Sequence, residues 1–334
     1  MSEAVLVVGG AGYIGSHVSL ALRRSGFLPV VFDDLSSGHA WAVQWGPMVE
    51  GDIRDATALA AALAKWDCRA VIHLAGCISV AESKIDPLKY YDINVAGSLA
   101  LFRAMQDAGT GILIFSSSAA VYGNARHGLV TESAPVAPIN PYGASKAMIE
   151  SVLQDMAASH EWRAVALRFF NAAAADPEGR IGEAHLPETH LIPSVLDAAR
   201  AGRTMTVHGA DYETPDGTCV RDYIHVDDIA EAHVLALKFL RAANTPVFEA
   251  INLGSNRGYS VLEILKTIAH ATGLHVPYRV GPRRAGDPAI LVASNEKAHE
   301  TLGWQMRRSD IDTMIADAWR WMQRQEAVAG LIPA

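Results

Sequence analysis

Cysteine is scarce in this sequence. The 334 residues include three cysteines, Cys68, Cys77 and Cys219, and none belongs to a C-x-x-C pair. So few and so widely spaced thiols exclude a disulfide framework and are typical of a protein kept in a reducing cytosol. We therefore expect a cytoplasmic protein whose cysteines behave as small core residues.

Long hydrophobic runs and an excess of basic residues are also missing. No apolar stretch reaches the roughly 18–20 residues that a membrane-spanning helix needs. Met1-Ser2-Glu3 leads directly into a hydrophobic strand, which leaves no room for a signal peptide. Lysine and arginine number 28 against 36 aspartates and glutamates, so the formal net charge is −8. The sequence thus predicts neither membrane association nor nucleic-acid binding, which would require clustered basic residues.

Recognisable metal-ligand spacing is lacking as well. Thirteen histidines are present, and His185, His190, His208 and His225 lie in or near loop-like segments. None of them belongs to an H-E-x-x-H motif or another cluster with ligand spacing. We therefore predict no metal site and expect most imidazoles to be surface groups or hydrogen-bonded core groups.

Apolar residues are abundant, at 50% of the chain, and their pattern predicts the fold class. In the first half, short β-branched runs alternate with Ala-rich stretches of helical character. The strand-like runs are Ala4–Val8, Val30–Phe32, Met48–Glu50, Ala70–Leu74, Ile112–Ser116 and Ala164–Arg168, and the helix-like stretches are Ser16–Arg24, Ala56–Lys65, Val95–Ala108 and Ala144–His160. Because most of these strands are apolar on both faces, they indicate a parallel sheet covered by helices on each side. We predict an α/β protein with a Rossmann-type doubly wound sheet.

The alternation stops after Asn171, where Gly, Pro, His and acidic residues crowd two long loop-like segments, 176–193 and 208–217. Loops of that length in a compact domain usually serve a function. We predict a cofactor-binding domain over residues 1–170 and a smaller, loop-rich substrate-binding domain over 171–334. A helix-like segment, Val226–Leu240, and a strand-like one, Glu249–Leu253, are expected to return to the first domain.

A glycine-rich turn connects the first strand to the first helix. Gly9 allows a tight turn, Gly12 lets the backbone approach a diphosphate, and Gly15 permits close packing of helix and strand. The second strand ends in Asp33-Asp34, where a carboxylate can accept hydrogen bonds from a ribose and repel a 2′-phosphate. Strand, turn, helix and acid in this order predict an NAD site rather than an NADP site.

One further acid, Asp52, has two candidate roles. Asp52-Ile53 follows the weak third strand, where it could reach an adenine edge. Asp52 could equally be the N-cap of the next helix.

A tyrosine and a lysine occupy the same face at the start of a predicted helix. Tyr142 and Lys146 are four residues apart and follow Pro141. A lysine ammonium together with an oxidised nicotinamide should lower the pKa of the phenol from about 10 towards neutrality, so that Tyr142 can act as base and acid. Upstream, the hydroxyls of residues 116–118 follow a strand whose carboxyl end faces the ligand crevice. Such pairs and serine runs are common in surface helices and turns, but next to a nicotinamide they indicate hydride-transfer chemistry.

Six segments carry a resemblance to a known family. They are GGAGYIG at 9–15, SSSAAVYG at 116–123, YGASK at 142–146, RFFNAA at 168–173, VRDYIHVDDIA at 220–230 and RRAGDPA at 283–289. Together they resemble the extended short-chain dehydrogenase/reductase family and, within it, the UDP-sugar 4-epimerases. The resemblance extends over nearly the whole chain.

The resemblance implies that UDP-galactose and UDP-glucose are interconverted by transient oxidation at C4 of the sugar, with NAD bound throughout. It implies a catalytic set of Ser118, Tyr142 and Lys146. The cofactor residues it implies are Gly9, Gly12, Tyr13, Ile14, Gly15, Asp33, Asp34, Asp52, Ile53, Leu74, Ala75, Gly76, Asn94, Ser116, Tyr142, Lys146 and Phe170. The implied substrate residues are Ser118, Tyr142, Asn171, His190, Leu191, Thr206, His208, Arg221, Arg284, Asp287 and Leu291. It also points to a homodimer. The Ala-rich helices at 95–108 and 144–160 could pair across a two-fold axis, but their apolar faces could equally be buried inside a monomer.

Two positions depart from the family pattern or leave it open. Cys77-Ile78-Ser79 stands where many relatives have a lysine that contacts the cofactor. Leu291 falls where the family gates the C2 substituent of the sugar, and leucine is intermediate between the residues that admit and exclude an N-acetyl group.

Alternative functions therefore stay open at this stage. They are a 4-epimerase of UDP-N-acetylhexosamine, UDP-xylose/arabinose or UDP-glucuronate, a nucleotide-sugar 4,6-dehydratase, and a non-catalytic NAD-binding protein. A dehydratase would need carboxylates where this chain has Ala119-Ala120, and a non-catalytic protein would commonly have lost Tyr142 or Lys146.

Overall fold

The structure is a computed structural model that describes residues 2–124, 129–284 and 288–329. Its strands are β1 Ala4–Val8, β2 Leu28–Asp33, β3 Met48–Glu50, β4 Ala70–His73, β5 Ile112–Ser118, β6 Leu129–Val130, β7 Arg163–Phe169, β8 Asn171–Ala173, β9 Met205–His208, β10 Val220–His225, β11 Val247–Leu253, β12 Gly258–Ser260, β13 Tyr278–Gly281 and β14 Ile290–Ala293. Its α-helices are α1 Tyr13–Arg24, α2 Ala56–Trp66, α3 Val80–Ile85, α4 Pro87–Tyr90, α5 Gly97–Asp107, α6 Pro141–His160, α7 Leu191–Ala201, α8 Val226–Ala242, α9 Val261–Thr272, α10 Glu296–Leu302 and α11 Ile311–Ala329. A π-helical stretch, Tyr91–Ala96, precedes α5, and single 3₁₀ turns lie at Ala40–Ala42 and Ala119–Tyr122.

A seven-stranded parallel sheet forms the centre of the first lobe. Its strand order is β11-β7-β5-β4-β1-β2-β3, so the order reverses between β4 and β1. Every residue of β1, β4 and β5 is buried. Apart from His73 at the end of β4, these strands consist of apolar or small residues, because helices cover both faces of the sheet. The predicted doubly wound α/β fold is confirmed.

Two hydrophobic cores lie on opposite faces of this sheet. Helices α1, α8 and α10 pack on one face and helices α2, α5 and α6 on the other. Helix α8 and strand β11 come from the chain after residue 220, yet α8 packs against α1 and β11 pairs with β7. The division at residue 170 into two functional domains stays a prediction.

The second lobe is more regular than its sequence indicates. Strands β12, β10, β14 and β6 form one small sheet in that order, and β8 also pairs with β10. Strands β9 and β13 form a separate parallel pair, and α7, α9 and α11 pack around a third core. Most of these strands have only two to four residues. Segments so short show no hydrophobic periodicity, so the sequence analysis treated the region as loops.

A buried ion pair attaches helix α6 to the sheet. Arg168 on β7 donates to Glu150 on α6 from Nε at 2.9 Å and from Nη2 at 2.5 Å, and both side chains are 6% exposed. Ser117 on β5 donates to the same carboxylate, and Arg168 also donates to the hydroxyl of Tyr122, which donates to Asn252 on β11. The network therefore fixes α6 relative to β5, β7 and β11.

No helix in the described part of the chain is both long and apolar enough to cross a bilayer.

We predict that Arg168→Met lowers the free energy of unfolding by about 3–5 kcal/mol at neutral pH, because the Glu150 carboxylate stays buried without its partner. An unpaired buried carboxyl has a raised pKa in the folded state, so the loss should shrink as the pH falls. Urea unfolding at several pH values measures both effects. The Glu150→Met, Arg168→Met double variant should regain much of the stability, and a single variant as stable as the wild type would contradict the prediction.

Candidate active site

The glycine-rich turn between β1 and α1 leaves space for a ligand at one position. A Cβ on Gly9, whose φ is +84°, would lie 2.5 Å from the backbone N of Ala75, and a Cβ on Gly15 would lie 2.2 Å from the Gly9 carbonyl oxygen. A Cβ on Gly12 would meet its nearest atom at 3.4 Å. Gly12 is also the N-cap of α1 and provides no side chain to occupy the free helix N–H groups. These features fit a diphosphate held at the helix N-terminus.

The two acids at the end of β2 differ in their surroundings. Asp33 is buried, and its carboxylate accepts hydrogen bonds from the backbone N–H groups of Ala11 and Leu35, each at 2.9 Å. Burial raises the pKa of Asp33, although these two hydrogen bonds oppose the rise. Asp34 is exposed and accepts from Ser36. Asp33 thus fixes the glycine-rich turn, and both acids give the end of β2 a negative charge that disfavours a 2′-phosphate.

The alternative reading of Asp52 as a helix N-cap is wrong. Asp55 caps α2 by accepting from Thr57 and Ala58. Asp52 instead binds Arg54, which also pairs with Asp92. The side chain of Ile53 is buried in the core between the sheet and α5.

Asn94 braces the loop that follows β4. Its Oδ1 accepts from the backbone N of Cys77 at 2.8 Å, and its Nδ2 donates to the Cys77 carbonyl and to Ser145 on α6. A Cβ on Gly76 would lie 2.8 Å from the Asn94 amide oxygen, so glycine is required there. Leu74 and Ala75 share the Val8 carbonyl as their backbone acceptor, which places this loop beside the glycine-rich turn. In residues 77–79, which depart from the family pattern, the side chain of Ser79 caps the N-terminus of α3.

The three serines at the end of β5 have three different roles. The hydroxyl of Ser116 contacts Nε2 of His233 on α8 at 2.8 Å, and its carbonyl accepts from Lys146. The hydroxyl of Ser117 binds Glu150 on the opposite face of the sheet. Ser118 faces Tyr142, with which it forms a side-chain hydrogen bond. Because the hydroxyl of Ser116 already contacts His233, the predicted contact of Ser116 with the cofactor would have to be made by its backbone or through Lys146.

Lys146 is a buried cation held between a carbonyl and two rings. Its Nζ donates to the Ser116 carbonyl at 2.8 Å and lies 4.7 Å from the ring centroid of Phe115 and 5.9 Å from that of Tyr142. Burial lowers the pKa of Lys146 to about 8, although the nearby Glu150 carboxylate partly opposes the shift. The ammonium is thus placed between the end of β5 and the tyrosine.

The expected lowering of the Tyr142 pKa is not produced by the protein alone. Burial raises the pKa of the phenol, and the hydrogen bond with Ser118 offsets only part of this rise. The reason is that desolvation disfavours the phenolate, while the Lys146 ammonium is directed at a backbone carbonyl. A positive charge on a bound ligand would have to supply the remaining stabilisation of the phenolate.

The residues assigned to the substrate fall into neighbouring groups. Asn171, His190 and Leu191 line one cavity together with Pro193 and Tyr223. In that group, Asn171 donates to the Asp222 carbonyl and His190 is the N-cap of α7.

The strands of the second lobe carry the other assigned substrate residues. Arg221 on β10 lies opposite Leu291 on β14, and Leu291 packs with Phe170 on a small cluster that includes Tyr122. Thr206 and His208 lie on β9, where Thr206 accepts from Arg279 and His208 contacts the Pro282 carbonyl. Arg284 is exposed, and Asp287 lies outside the described residues.

The first turn of α1 contacts the second lobe. Tyr13 donates its hydroxyl to the Ala174 carbonyl at 2.7 Å, and its ring meets the His185 ring edge-on. Ile14 packs on the core beneath the sheet. Both were assigned to the cofactor, and the side chain of Tyr13 lines a cavity beside the glycine-rich turn.

The sequence analysis missed a group of ligand-type side chains in the long loop before α7. Glu183, His185, Glu188 and His190 converge there. Burial opposes protonation of His190, but Glu183 and Glu188 outweigh it and raise its pKa to about 10. Burial would likewise raise the pKa of Glu183, but the two imidazoles hold it below its ordinary value. The E-x-H-x-x-E-x-H spacing at 183–190 was the available signal, although it matches no standard ligand motif.

The chain matches the NAD-dependent epimerase/dehydratase family over residues 5–254. It is 48% identical to a UDP-glucose 4-epimerase of Rhizobium leguminosarum bv. trifolii over 320 residues, which is 96% of this chain and 97% of the relative. Its fold superposes on the UDP-glucose 4-epimerase of Brucella ovis in complex with NAD, with a TM-score of 0.93, 48% identity, and coverage of 96% of this chain and 98% of that one. A UDP-glucose 4-epimerase from Stenotrophomonas maltophila, with bound NAD and formylated UDP-arabinopyranose, has a TM-score of 0.94, 42% identity, and coverage of 98% and 99%.

We predict that burial of Lys146 makes stability depend on pH. The folded state, with a pKa of about 8, holds fewer protons on this group than the unfolded state, whose pKa is near 10.5. The wild type should therefore gain unfolding free energy relative to Lys146→Met as the pH rises through this window, by at most about 3 kcal/mol. Urea unfolding of the nucleotide-free proteins across the window measures the difference, and a difference that does not change with pH would contradict the prediction.

Proposed function

The chain belongs to the NAD-dependent epimerase/dehydratase family, and we propose on this basis that it interconverts UDP-galactose and UDP-glucose. The observation that carries the proposal is the convergence of Ser118, Tyr142 and Lys146 at the carboxyl end of β5. This end of the sheet lies beside the glycine-rich turn, because β5 and β1 both pair with β4. The protein is an NAD-dependent UDP-sugar 4-epimerase.

The cofactor site uses the end of the sheet where the strand order reverses. Gly12 and the N-terminus of α1 would hold the diphosphate of NAD, and the acids ending β2 would bind its ribose. The loop of residues 74–76, braced by Asn94, lines the cleft. Bound NAD supplies the acceptor, and then the donor, of the hydride at C4 of the sugar.

Tyr142 is the proton-transfer group. Its phenolic oxygen takes the proton of the sugar 4-hydroxyl when C4 is oxidised and returns a proton when C4 is reduced on its opposite face. Ser118, which is hydrogen-bonded to Tyr142, orients the sugar oxygen. Lys146 keeps a positive charge one helical turn away and favours the phenolate form of Tyr142 that accepts this proton.

The UDP-sugar lies against the second lobe. The cavity between Asn171 and α7 receives the sugar and its phosphates, and Arg221 and Arg284 bind the diphosphate with forked guanidinium donors. Their positive charges attract the diphosphate locally, although the net charge of the whole chain is −8. Thr206, His208 and Asp287 complete the nucleotide site, and Leu291 faces the sugar.

The choice of sugar separates the main alternatives. Leu291 is half-buried and packs, like Phe170, against the cluster that includes Tyr122. It therefore limits the volume at C2 without closing the site as a large aromatic side chain would. Incubation with a panel of UDP-sugars, without added NAD, ranks the substrates. Faster turnover of UDP-N-acetylglucosamine or a UDP-pentose would favour the alternative epimerases, and a 4-keto-6-deoxy product would favour a dehydratase.

The assembly and cellular role follow from the same proposal. Ile85 and Leu88 are 85% and 77% exposed on α3 and α4, which pack against α6. This apolar surface supports a homodimer whose interface lies beside α5 and α6. Light scattering measures the oligomeric state. Cys68, Cys77 and Cys219 all lie in the described part of the chain and form no disulfide, which supports a cytoplasmic location. The reaction supports a role in galactose metabolism.

We predict that Tyr142→Phe lowers conversion of UDP-galactose to UDP-glucose by about 10²–10⁴-fold, because it removes the proton-transfer oxygen. Chromatography of UDP-sugars without added cofactor measures this rate. NAD released on denaturation should stay near one per chain. Tyr278→Phe, at an exposed tyrosine, serves as the control and should keep wild-type turnover. A wild-type rate in Tyr142→Phe would remove the assigned role.

We predict that Arg284→Ala weakens UDP binding by roughly 10–100-fold, because it removes a charge-assisted contact to the diphosphate. Calorimetric titration with UDP measures the affinity. The matched control is Arg283→Ala, since Arg283 already pairs with Asp211 and stacks on Tyr212. Equal UDP affinities in the wild type and Arg284→Ala would exclude Arg284 from the site.

A further inference from the structure

Four side chains that commonly bind metal ions meet in the loop between β8 and α7. Glu183, His185, Glu188 and His190 each place one ligand atom so that all four atoms lie within 4.8 Å of one another. Glu183 is the most enclosed, with its side chain 5% exposed. We call these four residues the loop cluster.

The spacing within the loop cluster fits tetrahedral coordination. Nδ1 of His185 lies 3.0 Å from one oxygen of Glu183 and 3.9 Å from one of Glu188, and Nδ1 of His190 lies 3.3 Å from Glu188. With metal–ligand bonds of about 2.0–2.2 Å, two ligands of a tetrahedral ion are roughly 3.3–3.6 Å apart. These three distances bracket this separation, whereas Nδ1 of His190 and the Glu183 carboxylate lie closer together and would have to separate when an ion binds.

Ion pairs hold the loop cluster together in this structure. Nδ1 of His190 is buried and lies against both Glu183 and Glu188. A divalent cation would replace the proton shared by the imidazole and the carboxylates, because metal ligands bind in their deprotonated forms.

The loop cluster is held in place by contacts outside it. Trp321 on α11 donates to the Glu183 carbonyl at 2.8 Å, and a Cβ on Gly182 would lie 2.5 Å from the same indole. Glu188 accepts from the backbone N–H groups of Thr189 and His190, which orients its carboxylate. Such outer contacts are the usual support of a metal site.

We propose that the loop cluster is a structural Zn²⁺ site. Two imidazole nitrogens and two carboxylate oxygens suit zinc better than Mg²⁺ or Ca²⁺, which prefer all-oxygen ligands. Two carboxylates and two neutral imidazoles balance the charge of a divalent ion. Four protein ligands complete a tetrahedron and leave no position for water, so the ion has a structural role.

The position of the site indicates what the ion stabilises. His185 contacts the ring of Tyr13 in the first turn of α1, and His190 begins α7 and lines the cavity with Asn171. Zinc would therefore join the loop to the cofactor turn on one side and to the substrate cavity on the other. A coordinated His190 imidazole would face the ion, which would leave its backbone as the part able to reach a nucleotide.

Zinc binding by the tag-free holoenzyme tests the proposal. After dialysis against EDTA, the protein is equilibrated with ZnCl₂ or MgCl₂, and bound metal is measured by mass spectrometry. We expect one zinc and no magnesium per chain, and a higher Tm with zinc. His185→Gln and Glu188→Gln should each weaken zinc binding by at least about 100-fold, since even outer-shell substitutions cost 10–100-fold.

Two controls separate the site from general binding. Glu178→Gln changes an exposed acid in the same loop, and His275→Gln changes an exposed histidine elsewhere. Both should keep wild-type zinc affinity, and NAD content with circular dichroism checks the folding of each variant. No zinc on the wild type, or equal zinc on the wild type and both ligand variants, would overturn the proposal and leave an ion-pair cluster. If one ligand variant does not fold, the other decides.

Discussion

The active site depends on keeping a lysine ammonium charged inside the protein. Lys146 is buried, and water is replaced by one carbonyl, that of Ser116, and by the face of the Phe115 ring. This contact fixes α6 against the end of β5, and therefore fixes Tyr142, which lies one turn earlier on the same helix. Burial acts on the pair in opposite senses, since it lowers the pKa of the lysine and raises that of the phenol. Both shifts favour the uncharged forms, so a cationic ligand beside the phenol is the natural way to make Tyr142 a better acid.

A second constraint acts one turn further along the same face of α6. The Glu150–Arg168 pair continues through Tyr122 to Asn252, so the catalytic helix is tied to three strands of the sheet. A buried ion pair of this kind contributes little net stability compared with apolar packing, but it penalises any shift that separates the charges. The catalytic groups are thereby positioned by contacts that join one face of α6 to three strands of the sheet.

The first lobe could be read from the sequence because its signals are local. Each strand run is long enough to show its burial, and Gly9, Gly12 and Gly15 have steric roles that the spacing anticipates. The second lobe could not be read in this way, since strands of two to four residues, such as β6 and β8, are defined by their partners. The same holds for single residues. Nothing local distinguishes Asp52 from Asp55 as the cap of α2. The sequence also does not reveal that burial outweighs the hydrogen bond with Ser118 in setting the pKa of Tyr142.

The position of β11 has a consequence for how the chain is made. Strand β7 ends at Phe169, but the strand that covers its outer edge ends at Leu253, so 84 further residues must be synthesised first. At a synthesis rate of about 5–20 residues per second, the outer edge of β7 stays unpaired for roughly 4–17 s. An uncovered strand of apolar sequence invites pairing with another chain. We therefore expect chaperones to bind ribosome-bound intermediates of this protein until β11 has been synthesised.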